Sequence, residues 1–147
     1  RNQYIDLRVS DGLENIKENE ADTLVLAGMG THTMLEILSK TNLRFKKIIT
    51  ISNNYHNILR EKMNDFNYKV DKELIIEDAG KLYNLIVFVE GQRKYTEKEL
   101  LLGLNHIDED MYKKYINFLF EKYTNIKKSS QDKNEQIDKI LEHINSL

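Results

Sequence analysis

Apolar and polar residues alternate along residues 4–9, Tyr4-Ile5-Asp6-Leu7-Arg8-Val9, up to Ser10-Asp11-Gly12. A period of two closed by a turn dipeptide predicts a half-buried strand. Leu13 to Ile16 predicts a short helical turn after it. At Asp22-Thr23-Leu24-Val25-Leu26-Ala27 the pattern changes to a nearly unbroken apolar run that stops at Gly28-Met29-Gly30. Such a run predicts a strand buried on both faces, as in a parallel sheet. Thr31 or Thr33 is placed to cap the next helix, whose apolar positions Met34, Leu35, Ile37 and Leu38 face inward. The unit then repeats. Lys47-Ile48-Ile49-Thr50-Ile51 ends at the polar cluster Ser52-Asn53-Asn54, and a helix follows through Ile58, Leu59, Met63 and Phe66. Strand, polar loop, helix and strand at these lengths predict crossover units and a parallel sheet.

The next two strands, 68–76 and 82–89, are separated only by Glu77-Asp78-Ala79-Gly80-Lys81. A link that short cannot make a parallel crossover, so the pair is predicted as an antiparallel hairpin. From Thr96 onward strand signals disappear. Met111, Tyr115, Phe118, Tyr123 and Ile126 fall near helical spacing until Lys127-Lys128-Ser129-Ser130-Gln131 breaks the pattern. Ile137, Ile140, Leu141, Ile144 and Leu147 then form a second stripe. Two such stripes joined by a short loop predict an antiparallel helix pair.

Composition changes this picture little. With 147 residues, 40% hydrophobic and 31% charged, the chain supports one core, or one core with a small appendage. The pattern divides it into an α/β unit over residues 1–92 and a helical hairpin over 93–147. The net charge of -2 counts against a free-standing nucleic-acid binder, although clustered lysines suffice for a phosphate contact. The lack of cysteine excludes disulfides, thiolate chemistry and cysteine-ligated zinc. No apolar run approaches the ~20 residues needed to cross a bilayer and no signal peptide is visible, so a soluble cytoplasmic protein is expected. The chain opens at Arg1 and runs straight into a strand-like segment, which reads as a missing beginning. Oligomeric state has no signature here.

Ligands of a parallel α/β sheet sit outside the carboxyl ends of its strands. Three such ends are readable. Asp11, beside Gly12, can accept a hydrogen bond from an exocyclic amine such as adenine's. Gly28 and Gly30, flanked by Ala27 and Met29, let a ligand approach the backbone closely. Asn53 and Asn54 can hydrogen-bond a base edge. Each motif also has a structural reading: Asp-Gly as a turn, Gly-x-Gly as tight strand-to-helix packing, Asn-Asn as a helix cap. Their succession at three strand ends favours function. His32, His56, His106 and His143 share no metal-ligand spacing, so no metal is expected. Tyr112, Tyr115, Phe118 and Tyr123 read as core and flank of the helix pair.

Taken together, D-L-R-V-S-D-G-L, D-T-L-V-L-A-G-M-G, I-I-T-I-S-N-N and the paired E-D-A-G-K-L-Y-N-L-I-V-F strands resemble the bacterial tRNA (adenine(22)-N1)-methyltransferase family, usually called TrmK. The resemblance runs from about Tyr4 to Gly91, and the tail matches the family's coiled-coil hairpin in kind. It implies a partial Rossmann-type methyltransferase sheet ending in an antiparallel hairpin whose last strand is inserted, followed by a C-terminal α-helical hairpin. It also implies S-adenosyl-L-methionine as cofactor and tRNA as partner. By resemblance, Asp11 and Gly12 match the adenine-contacting loop of the cofactor site. Ala27, Gly28, Met29 and Gly30 match the loop lining its methionine end. Asn54 matches the asparagine that ends the family's L-Q-P-N element, beside the target base. The chain departs from the family at Gly30-Thr31 (commonly G-G), at Ser52-Asn53-Asn54 (Q-P-N) and at Tyr83-Asn84-Leu85 (Tyr-Glu-Ile). The family's glycine-rich loop and ribose-binding acid have no counterpart in the chain, so weak or no cofactor binding is expected of it. On the same reading, the 22–27 strand becomes an exposed apolar edge. A same-fold methyltransferase acting on a small molecule or protein, and a truncated remnant without activity, are the alternative readings.

Overall fold

A computed structural model describes residues 4–130 and 134–147. Its sheet is built from β1 (Thr23–Met29), β2 (Lys47–Ser52), β3 (Tyr68–Asp78) and β4 (Lys81–Glu90), in the order β1-β2-β4-β3. β1 and β2 run parallel, from Thr23 opposite Lys47 to Ala27 opposite Ile51. The link between them is α1 (Thr31–Ser39), and α2 (His56–Lys62) continues into a 3-10 turn at Met63–Phe66. β3 and β4 form the expected hairpin, turning through Ala79 and Gly80, both at positive φ. β4 then enters between β3 and β2, antiparallel to both. This is the α/β architecture expected from the sequence.

Alternation explains which side of the sheet is packed. Leu26, Ile48, Ile86 and Phe88 project to one face, where Met34, Leu38, Leu59 and Met63 cover them. Ile49, Ile51 and Leu85 project to the other face and join neither apolar core cluster. The 22–27 run is therefore not buried on both faces, and Val25 is 58% exposed. Among the described residues, the core-packed helices cover one side only, and β1 has a strand neighbour on one edge only.

The opening segment also departs from expectation. Residues 5–9 form no strand, and Ile5, Leu7 and Val9 are exposed. Alternation supplies a face, but a strand also needs a neighbour to bond. Local polar contacts hold the segment instead. Arg8 donates to the Asn15 carbonyl at 3.0 Å and pairs with Asp6 and Glu20, while Asn15 donates to the Val9 carbonyl at 2.6 Å. Leu13 to Ile16 forms hydrogen-bonded turns rather than a helix.

Beyond the sheet, α3 (Glu97–Leu102) is a helix that the periodicity did not signal. Thr96 and Glu99 start it as a reciprocal capping box. α4 (Glu109–Ser129) and α5 (Glu135–Asn145) form the expected pair, linked near their junction by Lys127 and Asp138 at 2.8 Å. Their buried seam differs from the expected stripe. Tyr115, Ile116 and Leu119 pack against Ile140, Ile144 and Ile75 of β3, whereas Phe118 is 48% exposed and Ile126 is 38% exposed. α4 continues through Lys127 and Lys128, so the break begins at Ser130; Gln131 lies outside the described residues.

An ion pair joins the layers. Arg60 of α2 and Glu73 of β3, each 1% exposed, meet at 2.7 Å. Arg60 also donates to the Leu100 carbonyl, and Glu73 accepts from the Leu104 amide.

Candidate functional site

β1 ends in an irregularity between Ala27 and Met29, where Gly28 takes φ +75°. A side chain at Gly28 would meet nothing within 4 Å, so the backbone there faces open space. Gly30 stands at the N-cap of α1 without a side-chain cap of its own. Neither Thr31 nor Thr33 caps the helix. Thr31 is its first residue, fully buried, and its hydroxyl lies 2.8 Å from the Ser52 hydroxyl and donates to the Asn54 carbonyl at 2.7 Å.

The cap comes from the loop that follows β2. Asn54 Oδ1 accepts the Thr31 N–H at 3.1 Å, and the Asn53 N–H donates to the Met29 carbonyl at 3.0 Å. A Cβ on Gly30 would lie 3.1 Å from Asn54 Oδ1. Gly30 is thus small because Asn54 crosses it. Ala27, Gly28, Met29, Gly30, Asn53 and Asn54 form one surface at the carboxyl ends of β1 and β2. Sequence reasoning named Thr31 only as a cap candidate and Ser52 only within a polar cluster, and missed that their buried hydroxyls hold this surface; a threonine directly after G-M-G was the available signal.

Asp11 and Gly12 stand elsewhere. Asp11 is exposed in its turn, and Gly12 packs over Ile37, 3.5 Å from where its Cβ would be. They line a hollow of about 450 Å³ along α1, with Thr33, Glu36 and Lys40, that none of the other candidate residues reaches. Two of the three predicted loops come together; the third lies over the helix between them.

A larger cleft, about 630 Å³, opens on the other side of Asn54. Its walls are the 53–57 loop, the start of β4 and the facing sides of α4 and α5. Tyr55 enters the loop in the left-handed conformation (φ 48°), and its ring lies 5.6 Å from that of His32. His56 bonds the Ser52 carbonyl through Nε2 at 3.0 Å, and burial pushes its pKa down, so it is neutral near pH 7. Tyr115, Tyr123 and Lys122 of α4 also face this cleft, as does Asn84 of β4. Polar Asn84 in mid-strand, among apolar neighbours, was the sequence signal for this wall.

The comparisons agree with this architecture. The Bacillus subtilis (strain 168) tRNA (adenine(22)-N(1))-methyltransferase is 32% identical over 140 residues, covering 92% of this chain; the chain spans 59% of that protein's length. A Streptococcus agalactiae protein of the NADB-Rossmann superfamily superposes with a TM-score of 0.80 at 22% identity, over 96% of this chain and 66% of its own. M. capricolum TrmK, solved with its cofactor product S-adenosyl-homocysteine, gives a TM-score of 0.71 at 25% identity, over 94% of this chain and 64% of its own. The family model for tRNA (adenine(22)-N(1))-methyltransferase matches residues 1–147, and the chain belongs to that family, TrmK.

Proposed function

We propose that the protein methylates N1 of an adenine in tRNA, with S-adenosyl-L-methionine as methyl donor. The observation that carries this reading is the single surface made by Gly28–Gly30 and Asn53–Asn54, in a chain of the TrmK family. The residues of the Gly28–Gly30 loop fit one part of the cofactor. Gly28 offers bare backbone with open space above it, suited to the methionine end together with Ala27, Met29 and Gly30. The exposed Asp11 carboxylate, beside Gly12, suits an adenine amine by its chemistry, but in this structure it lies over α1, apart from Gly28–Gly30. When bound, the cofactor supplies an electrophilic methyl on sulfur. Adenine N1 carries a free lone pair at neutral pH, so the attack needs no preceding base. The protein's part is to hold N1 in line and keep water out, which is catalysis by positioning.

N1 lies on the Watson–Crick edge, so the target base must be unpaired or extruded first. With Oδ1 of Asn54 engaged by Thr31, its Nδ2 is the group left for a base edge, alongside Asn53. Residues 1–92 carry this chemistry, and the coiled-coil-like helix pair of 93–147 grips folded RNA by shape and phosphate contacts. Acting on tRNA places the protein in the cytoplasm; among the described residues no helix is long and apolar enough to cross a membrane. Primer extension on tRNA incubated with the protein and S-adenosyl-L-methionine tests the reading. A new stop at one adenine is expected. Cofactor binding without any stop would overturn the substrate.

A further inference from the structure

Tyr55 stands where the local backbone favours other residues. Its conformation is left-handed, at φ 48° and ψ 48°, which is uncommon outside glycine and asparagine and rarest for bulky side chains. It is also the N-cap of α2, a position that asparagine, serine, aspartate or glycine fills better, and its side chain makes no cap. The residue is 54% exposed, so core packing does not account for it. Neighbouring bonds hold the strained turn in place. The Leu59 N–H donates to the Tyr55 carbonyl at 3.0 Å, the Thr31 hydroxyl lies 3.4 Å from the same oxygen, and Asn54 just before it is tied to Thr31. Backbone strain held in this way clusters at active sites and ligand clamps.

The surroundings of the ring describe the ligand. Tyr55 lines the cleft of about 630 Å³ together with Asn53, Asn54 and Asn57, whose amides suit the edge of a base. Among the described residues the lining holds no carboxylate to repel a phosphate, and Lys122 adds a positive charge. The His32 ring, outside that lining, lies 5.6 Å from the Tyr55 ring at a tilt of 53°, a contact that steadies it. A steadied aromatic face beside amides fits a planar ligand with hydrogen-bonding edges, and aromatic faces stack on any base. Stacking also meets a need of methyl transfer to adenine N1. The N1 lone pair lies in the plane of the base, so the methyl must arrive in that plane. Holding the base flat against a fixed ring sets the direction of attack.

We propose that Tyr55 is the stacking face for one unpaired base of the RNA substrate, the base to be methylated, with Asn54 at its edge. The proposal rests on the RNA-methylation reading above and adds a substrate-contacting residue to it. The strained turn then has a use: it aims an aromatic face outward from a rigid strand end. Glycine at this position would relax the turn and remove the face.

Nuclear magnetic resonance on the chain labelled in its tyrosine rings tests this, with adenosine 5′-monophosphate, ribose 5-phosphate and S-adenosyl-L-homocysteine as probes. A base stacked on Tyr55 puts the ring's protons in its ring current. Adenosine 5′-monophosphate should therefore move the Tyr55 ring signals upfield, and ribose 5-phosphate should leave them in place. Tyr55→Gly should bind the nucleotide about tenfold less tightly or worse, and should melt no lower than the parent because glycine takes the left-handed turn freely. Tyr55→Phe, which keeps the face, should restore binding. Ring signals that stay still up to ~10 mM nucleotide, where millimolar binding is largely saturated, would overturn the proposal. So would a Tyr55→Gly variant that binds as the parent does, or one that melts well below it. S-adenosyl-L-homocysteine that displaces the nucleotide from Tyr55 and binds there more tightly would make the ring a cofactor seat, which also overturns it. Primer extension separates the two readings. Stacking on Tyr55 in a protein that leaves tRNA unmethylated would retire the methylation reading while the stacking face stands. Methylation by Tyr55→Gly with the parent's kcat and KM would overturn this proposal alone.

Discussion

Asn54 caps a helix it does not belong to: its Oδ1 takes the backbone N–H of Thr31 at 3.1 Å, joining the end of β2 to the start of α1. Thr31 returns the contact by donating its hydroxyl to the Asn54 carbonyl at 2.7 Å. Replacing Asn54 with alanine leaves the Thr31 donor unmet and should cost ~0.5–2 kcal/mol. Asn54→Asp keeps an acceptor at the positive end of the helix and should match or exceed the parent. Urea denaturation of the two variants separates them. Equal loss in both would mean that the cap adds no stability.

The two glycines of the G-M-G element should respond differently to alanine. Gly28→Ala has open space but must hold φ +75°, a strain of about 1–2 kcal/mol. Gly30→Ala has ordinary backbone angles, yet its Cβ would press on Asn54 at 3.1 Å. The Thr31 amide resonance should therefore move in Gly30→Ala and remain in place in Gly28→Ala. Movement in both would contradict this division of roles.

The buried Arg60–Glu73 pair makes a third test. Removing one partner leaves an uncompensated charge in the core, so Arg60→Met should destabilise by ~3–5 kcal/mol. Replacing both residues with apolar ones should recover much of that loss in thermal melts. Gly103 seals the same spot: a Cβ there would lie 2.7 Å from Glu73 Oε1 and 2.9 Å from an Arg60 nitrogen, at φ +81°. Gly103→Ala should fail to fold or melt far below the parent.

Stability should fall with acid before carboxylates enter. Burial lowers the pKa of both His56 and His106, and the His106 Nδ1 is buried without an acceptor for a proton. Burial outweighs the opposing effects: the Ser52 carbonyl at His56, and the Glu73 charge with the Leu102 carbonyl at His106, where Glu73 acts more strongly than Arg60. The unfolded chain therefore binds more protons as pH drops past the ordinary histidine value of about 6.5. The stability contributed by these neutral histidines is complete above that value and is lost as pH falls towards the folded-state values. Denaturation midpoints taken between pH 7 and 5 should decline, and phenylalanine at both positions should flatten the decline. An unchanged slope would assign it to other groups.

Asp11 offers a clean separation of binding from folding. Its side chain is exposed, so Asp11→Ala should change stability by no more than about 0.5 kcal/mol. If Asp11 meets the cofactor's adenine amine, calorimetry with S-adenosyl-L-methionine should show a loss of about 0.5–3 kcal/mol in affinity. Unchanged affinity would leave it a turn residue.

What the sequence made legible was pattern and punctuation. The β3–β4 hairpin follows from a link too short for any crossover, and Gly80 marks its turn. The helix pair follows from apolar spacing, although its seam settled on Ile116 and Leu119 because α4 packs on Ile75 as well as on α5. Alternation misled at Ile5, Leu7 and Val9, since period two says nothing about whether a strand lies alongside. The apolar run at Val25 misled similarly: apolar residues on both sides of a strand do not place a layer on both sides. α3 escaped because six residues are too few for periodicity, though Thr96 and Glu99 spell its cap. Asn53 and Asn54 were legible as a strand end, but their bond to Thr31 is a relation across the sheet. Asn84 stood in plain view as a polar residue in a strand; only the fold shows that it is buried beside Tyr115 of α4.

The strand order carries a consequence for how the chain is made. Phe88 of β4 lies opposite both Ile48 of β2 and Val70 of β3, so this inner strand of the sheet is synthesised after both of its neighbours. As the polypeptide leaves the ribosome, β1 and β2 can pair early, but β3 emerges with no neighbour to bond. Until residue 90 is clear of the exit tunnel, the edges of β2 and β3 that β4 will fill therefore stay open. Those edges are the part of the molecule most exposed to mispairing, and chaperones that shield extended segments would act in that interval.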